Sequence, residues 1–151
     1  ANMVNLGFSG SAKGETEMAR LISKIDMSAF VMDYDHNAPD VKHLQDTHEI
    51  FFRIIRENNP DLPVIFVSKP DFDSNVLVNA KRREVIRSTY ENAVKSGDKN
   101  VYFVDGETLF GKNDRDACTV DGCHPNDLGF MRMAENIYPT LKKALSYLDF
   151  V

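Results

Sequence analysis

The sequence is poor in cysteine, has no tryptophan and shows no long apolar run or cluster of positive charge. Its 151 residues include two cysteines, too few for a disulfide framework. No run approaches the roughly 20 apolar residues that span a bilayer, so no membrane partner is expected. No signal peptide is visible, which leaves the compartment open with the cytoplasm as the default. The Lys and Arg residues are scattered and the formal net charge is −5 at pH 7, which argues against a nucleic-acid partner.

The amino-acid composition, with 42% hydrophobic and 27% charged residues, is typical of one globular domain over residues 1–151. A chain of this length buries enough surface to fold without a metal or a disulfide. The first residue is alanine rather than an initiator methionine. We therefore expect the domain to be N-terminally incomplete, as the trimmed part of a longer chain.

Short apolar runs alternate with longer amphipathic runs, as strands alternate with helices in an α/β protein. The predicted strands are residues 3–6, 29–32, 63–67 and 101–104. The predicted helices cover residues 15–25, 41–58, 76–97 and 126–145. In such folds the ligand site lies beyond the carboxyl ends of the strands. We therefore expect the chemistry in the loops 7–14, 33–40, 68–73 and 105–125.

The most specific segment is Asp121-Gly122-Cys123-His124-Pro125. An Asp three residues before a His can place its carboxylate against one ring nitrogen. The carboxylate then fixes the tautomer, and the other nitrogen is free to take a proton from a nucleophile. A solvated loop with a helix cap is the simpler interpretation of the same residues.

Together with two further segments, this one resembles the SGNH (GDSL-type) ester hydrolases, over residues 5–144. The segments are Asn5 to Ser11 after the first predicted strand and Met32 to Pro39 after the second. The resemblance implies that Asp121 and His124 are the acid and base of a Ser-His-Asp triad. It also implies oxyanion-hole donors, the backbone N–H of Gly10 and the side-chain amide of Asn37. The implied fold is a three-layer α/β/α sandwich, flavodoxin-like, with a mostly parallel sheet.

The sequence differs from the family pattern at the nucleophile, because the Gly-Asp-Ser motif that carries the family's catalytic serine does not occur in it. The family's nucleophile block precedes Gly10 and also supplies the first strand, between the first two strands predicted here. We therefore expect the sheet to lack that strand. Three explanations stay open: a trimmed enzyme, which we favour; a strand from another chain or fragment; or a natural non-catalytic derivative. Ser9, Ser11 and Ser68 are candidate substitutes, but each is more simply a loop hydrogen-bonder or cap.

Other polar residues leave alternatives open. Cys118, Asp121, Cys123 and His124 are all metal-ligand types, but their spacing does not match a structural zinc site. A disulfide between the cysteines is a second alternative, and two free thiols are the simplest. His36, beside Asn37, is a candidate to touch substrate, whereas His43 and His48, in the predicted helix, are expected to be surface or boundary residues. The loop aspartates 33, 35, 71 and 73 allow a two-carboxylate glycosidase, or more simply helix caps and partners for Arg82 and Arg83.

The expected function is hydrolysis of a small ester, with acetyl on a carbohydrate as the preferred substrate and with no metal or organic cofactor. The alternative is a binding or structural domain that keeps the fold without the serine. A flavodoxin-like domain holding a phosphate-bearing cofactor at residues 7–14 is a weaker alternative, since that loop lacks a matching fingerprint.

Overall fold

Three parallel strands form the sheet in the computed structural model, which describes residues 2–146 apart from the side chain of Phe72. They are β1 (Phe30–Met32), β2 (Val64–Val67) and β3 (Val101–Val104), in the order β1-β2-β3. Met32 is in register with Phe66 of the central strand, and Phe66 with Phe103. All four residues of β2 are buried, as expected for a strand covered on both faces.

Four α-helices follow the predicted pattern within the described residues: α1 (Thr16–Ile22), α2 (Val41–Asn58), α3 (Val76–Lys95) and α4 (Asp127–Ala144). The three longer ones begin at a side-chain cap. Asp40 accepts from the His43 N–H, Asn75 from the Val78 N–H and Asn126 from the Gly129 N–H. In residues 2–146, no helix combines the length and apolar character that crossing a bilayer requires.

The helices lie on both faces of the sheet, so the predicted α/β/α layering is confirmed. Alternate strand residues point to opposite faces. Val64 and Phe66 pack into the larger core with α1, α2 and α3. Ile65 and Val67 pack into the smaller core, which α4 covers through side chains such as Leu141.

The strand predicted at residues 3–6 is not formed, so this part of the prediction was wrong. Met3 is 86% exposed and Val4 is 66% exposed. Within residues 2–146, β1 is an edge strand whose outer side pairs with no other strand, and Val31 on it is 39% exposed. The predicted order separates residues 3–6 from β1 by the strand that this sequence lacks. Without that neighbour, residues 3–6 have no ladder to join.

His48 is a second correction, because it is buried in the larger core rather than exposed. Its Nδ1 lies 2.9 Å from the Thr89 hydroxyl, and its ring packs between those of Tyr34 and Phe66. Burial lowers the pKa of His48 to about 3, so the side chain is neutral in the folded protein. The hydrogen bond to Thr89 satisfies one ring nitrogen in the core.

Candidate active site

Three loops meet at the carboxyl edge of the sheet, after β1, β2 and β3, as parallel strand order requires. The loop after β1 is tied to the loop after β2 by the Lys69 N–H, which donates to Asp35 Oδ2 over 2.8 Å. The loop after β2 is tied to the next one by the Gly106 N–H, which donates to Ser68 Oγ over 2.8 Å. A Cβ at Gly106 would lie 2.0 Å from the Lys69 carbonyl oxygen, so only glycine permits this approach.

Asp121 and His124 face each other in the third loop. His124 Nδ1 lies 2.6 Å from Asp121 Oδ2, and Asp121 Oδ1 accepts from the backbone N–H of His124 over 2.8 Å. The hydrogen bonds from His124 hold the pKa of Asp121 well below its usual range. The His124 side chain is 78% exposed. The carboxylate therefore places the ring proton on Nδ1 and leaves Nε2 open to accept another.

The loop that carries this pair is fixed to the start of α4. Thr119 and Pro125 form an antiparallel bridge across its base, and the Asn126 N–H donates to the Cys118 carbonyl over 2.9 Å. A Cβ at Gly129 would lie 2.4 Å from that same carbonyl oxygen. A glycine in the first turn of α4 thus lets the base of the loop rest on the helix.

Asn37 lies in the short 3₁₀ turn Asp35–Asn37 that follows β1. A buried ion pair holds this turn: Arg82 Nε of α3 donates to Asp35 Oδ1 over 2.8 Å, and Arg82 Nη2 donates to the carbonyl oxygens of Asp35 and Ala38. The Asn37 side chain is half-buried and makes no hydrogen bond to another residue of the described chain. Its amide is therefore available to a ligand at this edge.

Gly10 lies apart from these loop contacts, in an exposed turn at residues 8–11 closed by the Ser11 N–H donating to the Phe8 carbonyl. Its φ of +74° is a left-handed conformation that suits glycine. The two hydrogen bonds that join the loops after β1, β2 and β3 do not involve this turn. Its use as an oxyanion donor stays a prediction.

Ser68, the serine at the end of β2, is 1% exposed. Its hydroxyl accepts a hydrogen bond from the Gly106 N–H. Ser68 therefore acts as a loop hydrogen-bonder, which was the simpler alternative to a nucleophile. Ser9 and Ser11 are exposed beside Gly10. Among residues 2–146, no serine hydrogen-bonds to His124.

Both cysteines are free thiols, and they differ in their surroundings. Cys118 is buried, with its thiol directed at the Phe110 carbonyl. Cys123 is half-buried, with Sγ 3.1 Å from His36 Nε2. The four ligand types clustered in the sequence therefore do not converge. Instead His36, Asp71 and Cys123, from three different loops, place metal-ligand atoms within 4.8 Å of one another.

The remaining loop carboxylates divide between ion pairs and one unusual group. Asp73 pairs with Arg115 at 2.7 Å, and Asp105 pairs with Arg87 at 3.1 Å. Asp33, directly after β1, is exposed by its accessible surface, but neighbouring protein atoms partly desolvate its carboxyl group. This desolvation, together with the charge of Asp35, raises the pKa of Asp33 to about 6.

An Asp-His pair of this kind is an arrangement that serine hydrolases use on several folds. Comparison with known proteins gives the family of this chain. The model of the GDSL-like lipase/acylhydrolase family matches residues 1–142. The chain therefore belongs to the GDSL-like lipase/acylhydrolase family, the SGNH hydrolases.

Two solved structures are similar. One is described as a GDSL-like lipase from Bacteroides ovatus ATCC 8483, with 34% identity and a TM-score of 0.83 over 95% of this chain. The other is the salicylyl-acyltransferase SsfX3 from a tetracycline biosynthetic pathway, whose fold matches at 24% identity and a TM-score of 0.73 over 91% of this chain. This chain spans 43% of the length of each. Comparison with curated proteins gives no match.

Proposed function

We propose that this chain supplies the acid–base pair and two oxyanion donors of an SGNH serine ester hydrolase. The observation that supports it most is the 2.6 Å contact between His124 Nδ1 and Asp121 Oδ2, in a histidine whose side chain is 78% exposed. An imidazole held in this tautomer is a competent general base at neutral pH.

In this mechanism a serine from outside the 151-residue sequence attacks the ester carbonyl. His124 Nε2 takes the serine proton, and Asp121 stabilises the imidazolium. The negative charge on the carbonyl oxygen is met by the Asn37 amide, the Gly10 N–H and the N–H of the serine itself. Each such donor contributes about 3–4 kcal/mol to the transition state. His124 then returns the proton to the leaving alcohol, and water hydrolyses the acyl-enzyme.

The proposed substrate is a small ester, with an acetyl group on a carbohydrate as the first to test. The chemistry uses no metal or organic cofactor. The chain spans 43% of the length of each solved relative, so the activity and the serine are proposed for the whole protein.

The test is hydrolysis of p-nitrophenyl acetate by the full-length protein and its Asp121→Asn variant. The amide loses the charge that fixes the tautomer, so kcat should fall about 10³–10⁴-fold. Asp46→Asn is the matched control, because Asp46 is an exposed carboxylate in an ion pair with Lys42 on α2 and lies in none of the site loops. Equal rates for the wild type and Asp121→Asn would contradict the proposal.

The absence of a Gly-Asp-Ser motif favours a second candidate, a binding domain that has lost its chemistry. That candidate predicts no ester hydrolysis by the full-length wild type. The same assay therefore separates the two functions before any variant is compared.

A further inference from the structure

A chain of three side chains lies beside the Asp121–His124 pair and plays no part in the proposed hydrolase mechanism. Cys123 Sγ is 3.1 Å from His36 Nε2, and His36 Nδ1 is 3.6 Å from Asp71 Oδ1. The thiol, imidazole and carboxylate thus follow one another in the order of a nucleophile, its base and the group that orients the base. The His36 and His124 rings are 6.4 Å apart, so this cluster and the Asp121–His124 pair are neighbours.

Asp71 forms the buried end of the cluster, while the side chain of His36 is 29% exposed and Cys123 is half-buried. The Asp71 side chain is 7% exposed. Its Oδ1 and the facing His36 Nδ1 are both buried and lack a hydrogen bond of good geometry. A small rotation of the His36 ring would satisfy both atoms at once, by an N–H donated to the carboxylate.

A metal ion fits the arrangement less well than a proton relay. One imidazole nitrogen ligates one metal, but here the thiol and the carboxylate lie against opposite nitrogens of His36. The Lys69 ammonium is also 3.1 Å from Asp71 Oδ1, where it already neutralises the carboxylate that a cation would need.

The groups around His36 and Cys123 favour the uncharged form of both side chains. Burial lowers the pKa of His36, although Asp71 and the more distant Asp35 oppose this, while Lys69 and His124 act with burial. Burial also raises the pKa of Cys123, with Asp71 and Asp121 in the same direction and Lys69 opposing. At neutral pH the thiol therefore keeps its proton, and His36 is unprotonated and positioned to remove it.

We propose that Cys123 is a second nucleophile of this protein, a thiol activated by His36 and Asp71 that accepts small acyl groups from esters. Sγ forms a bond to the acyl carbon and the ester C–O bond breaks. The thiol proton passes through His36 Nε2 to the leaving oxygen, which departs as an alcohol, and Cys123 is left as an acyl thioester. The proposal goes beyond the serine mechanism and does not depend on it, since it requires neither the serine nor His124.

The test follows alkylation of Cys123 by iodoacetamide, mapped by mass spectrometry, between about pH 5 and pH 9. The wild-type rate should rise as His36 loses its proton and then stay level through neutral pH. His36→Gln should lower the neutral-pH rate about a hundredfold and leave only the rise at high pH that accompanies thiol ionisation. Buried Cys118 is the internal control. His43→Gln is the matched variant, because His43 is a half-buried histidine on α2 whose Nε2 lies against the Lys13 carbonyl oxygen rather than against the thiol.

A second readout uses p-nitrophenyl acetate followed by an acid quench. An acetyl group on the Cys123 peptide that hydroxylamine removes supports the proposal, whether or not the protein turns over the ester through a serine. Three results would overturn it: no acetyl on Cys123, a His36→Gln alkylation rate equal to that of wild type, or full protection of Cys123 by stoichiometric Zn²⁺. The wild-type pH profile decides the matter even if a variant fails to fold.

Discussion

Arg82 is the buried cation on which the geometry of the turn after β1 depends, and its removal should be among the most damaging single changes in the chain. In the Arg82–Asp35 ion pair the side chains are 7% and 0% exposed. Arg82→Met keeps much of the volume and removes every hydrogen bond that the guanidinium donates. The Asp35 carboxylate would then retain the Lys69 N–H as its donor. Leaving one partner of a buried pair uncompensated costs about 3–5 kcal/mol.

The measurement is urea unfolding followed by circular dichroism. Arg53→Met is the control, because Arg53 is 68% exposed and pairs with Glu49 on the same helix; its loss should change the free energy of unfolding by less than about 1 kcal/mol. The double variant Asp35→Asn/Arg82→Met should be more stable than Arg82→Met, since it removes the unpaired charge. A loss for Arg82→Met no larger than that for Arg53→Met would refute the reasoning.

Two further outcomes follow from buried groups. The pKa of His48 is about 3 in the folded protein and about 6.5 when unfolded, so the unfolded state binds the extra proton as the pH falls. The free energy of unfolding should fall by about 2 kcal/mol between pH 7 and pH 5, and His48→Gln should remove that part of the pH dependence in urea titrations. Gly129→Ala places a Cβ against the Cys118 carbonyl oxygen and should destabilise the protein by about 1–3 kcal/mol in the same assay. An unchanged urea midpoint for Gly129→Ala would contradict this prediction, because it would mean that the base of the loop moves away from the added Cβ at no cost.

The sequence predicted the regular elements well where local signals agree. The bounds of α2, residues 41–58, were predicted from the spacing of its apolar residues and from Asn58-Asn59-Pro60, which ends the helix. The structure adds the Asp40 cap at its start. β2 was predicted from its continuous apolar run, which needs no partner to be visible. Residues 3–6 carry the same kind of local signal but have no neighbouring strand within the described chain, so local propensity was not enough.

The site was predictable only where its parts are close in sequence. Asp121 and His124 are three residues apart, and one loop brings them together. His36 and Cys123 are 87 residues apart, and neither position shows a pattern that links it to the other. Such contacts depend on which loops the sheet order brings to one edge. The only indication in the sequence was that His36 and Cys123 lie in loops that follow two different predicted strands of one parallel sheet.

The most direct measurement of the central claim is labelling of the full-length protein by a fluorophosphonate probe, read by intact mass and peptide mapping. We predict one adduct, on a serine outside the 151-residue sequence, and labelling that is at least about 10³-fold slower in His124→Ala. The control Gln45→Ala, at an exposed position of α2, should label like the wild type. No adduct on the wild type, or labelling that does not depend on His124, would contradict the claim that Asp121 and His124 serve as the acid–base pair of an ester hydrolase.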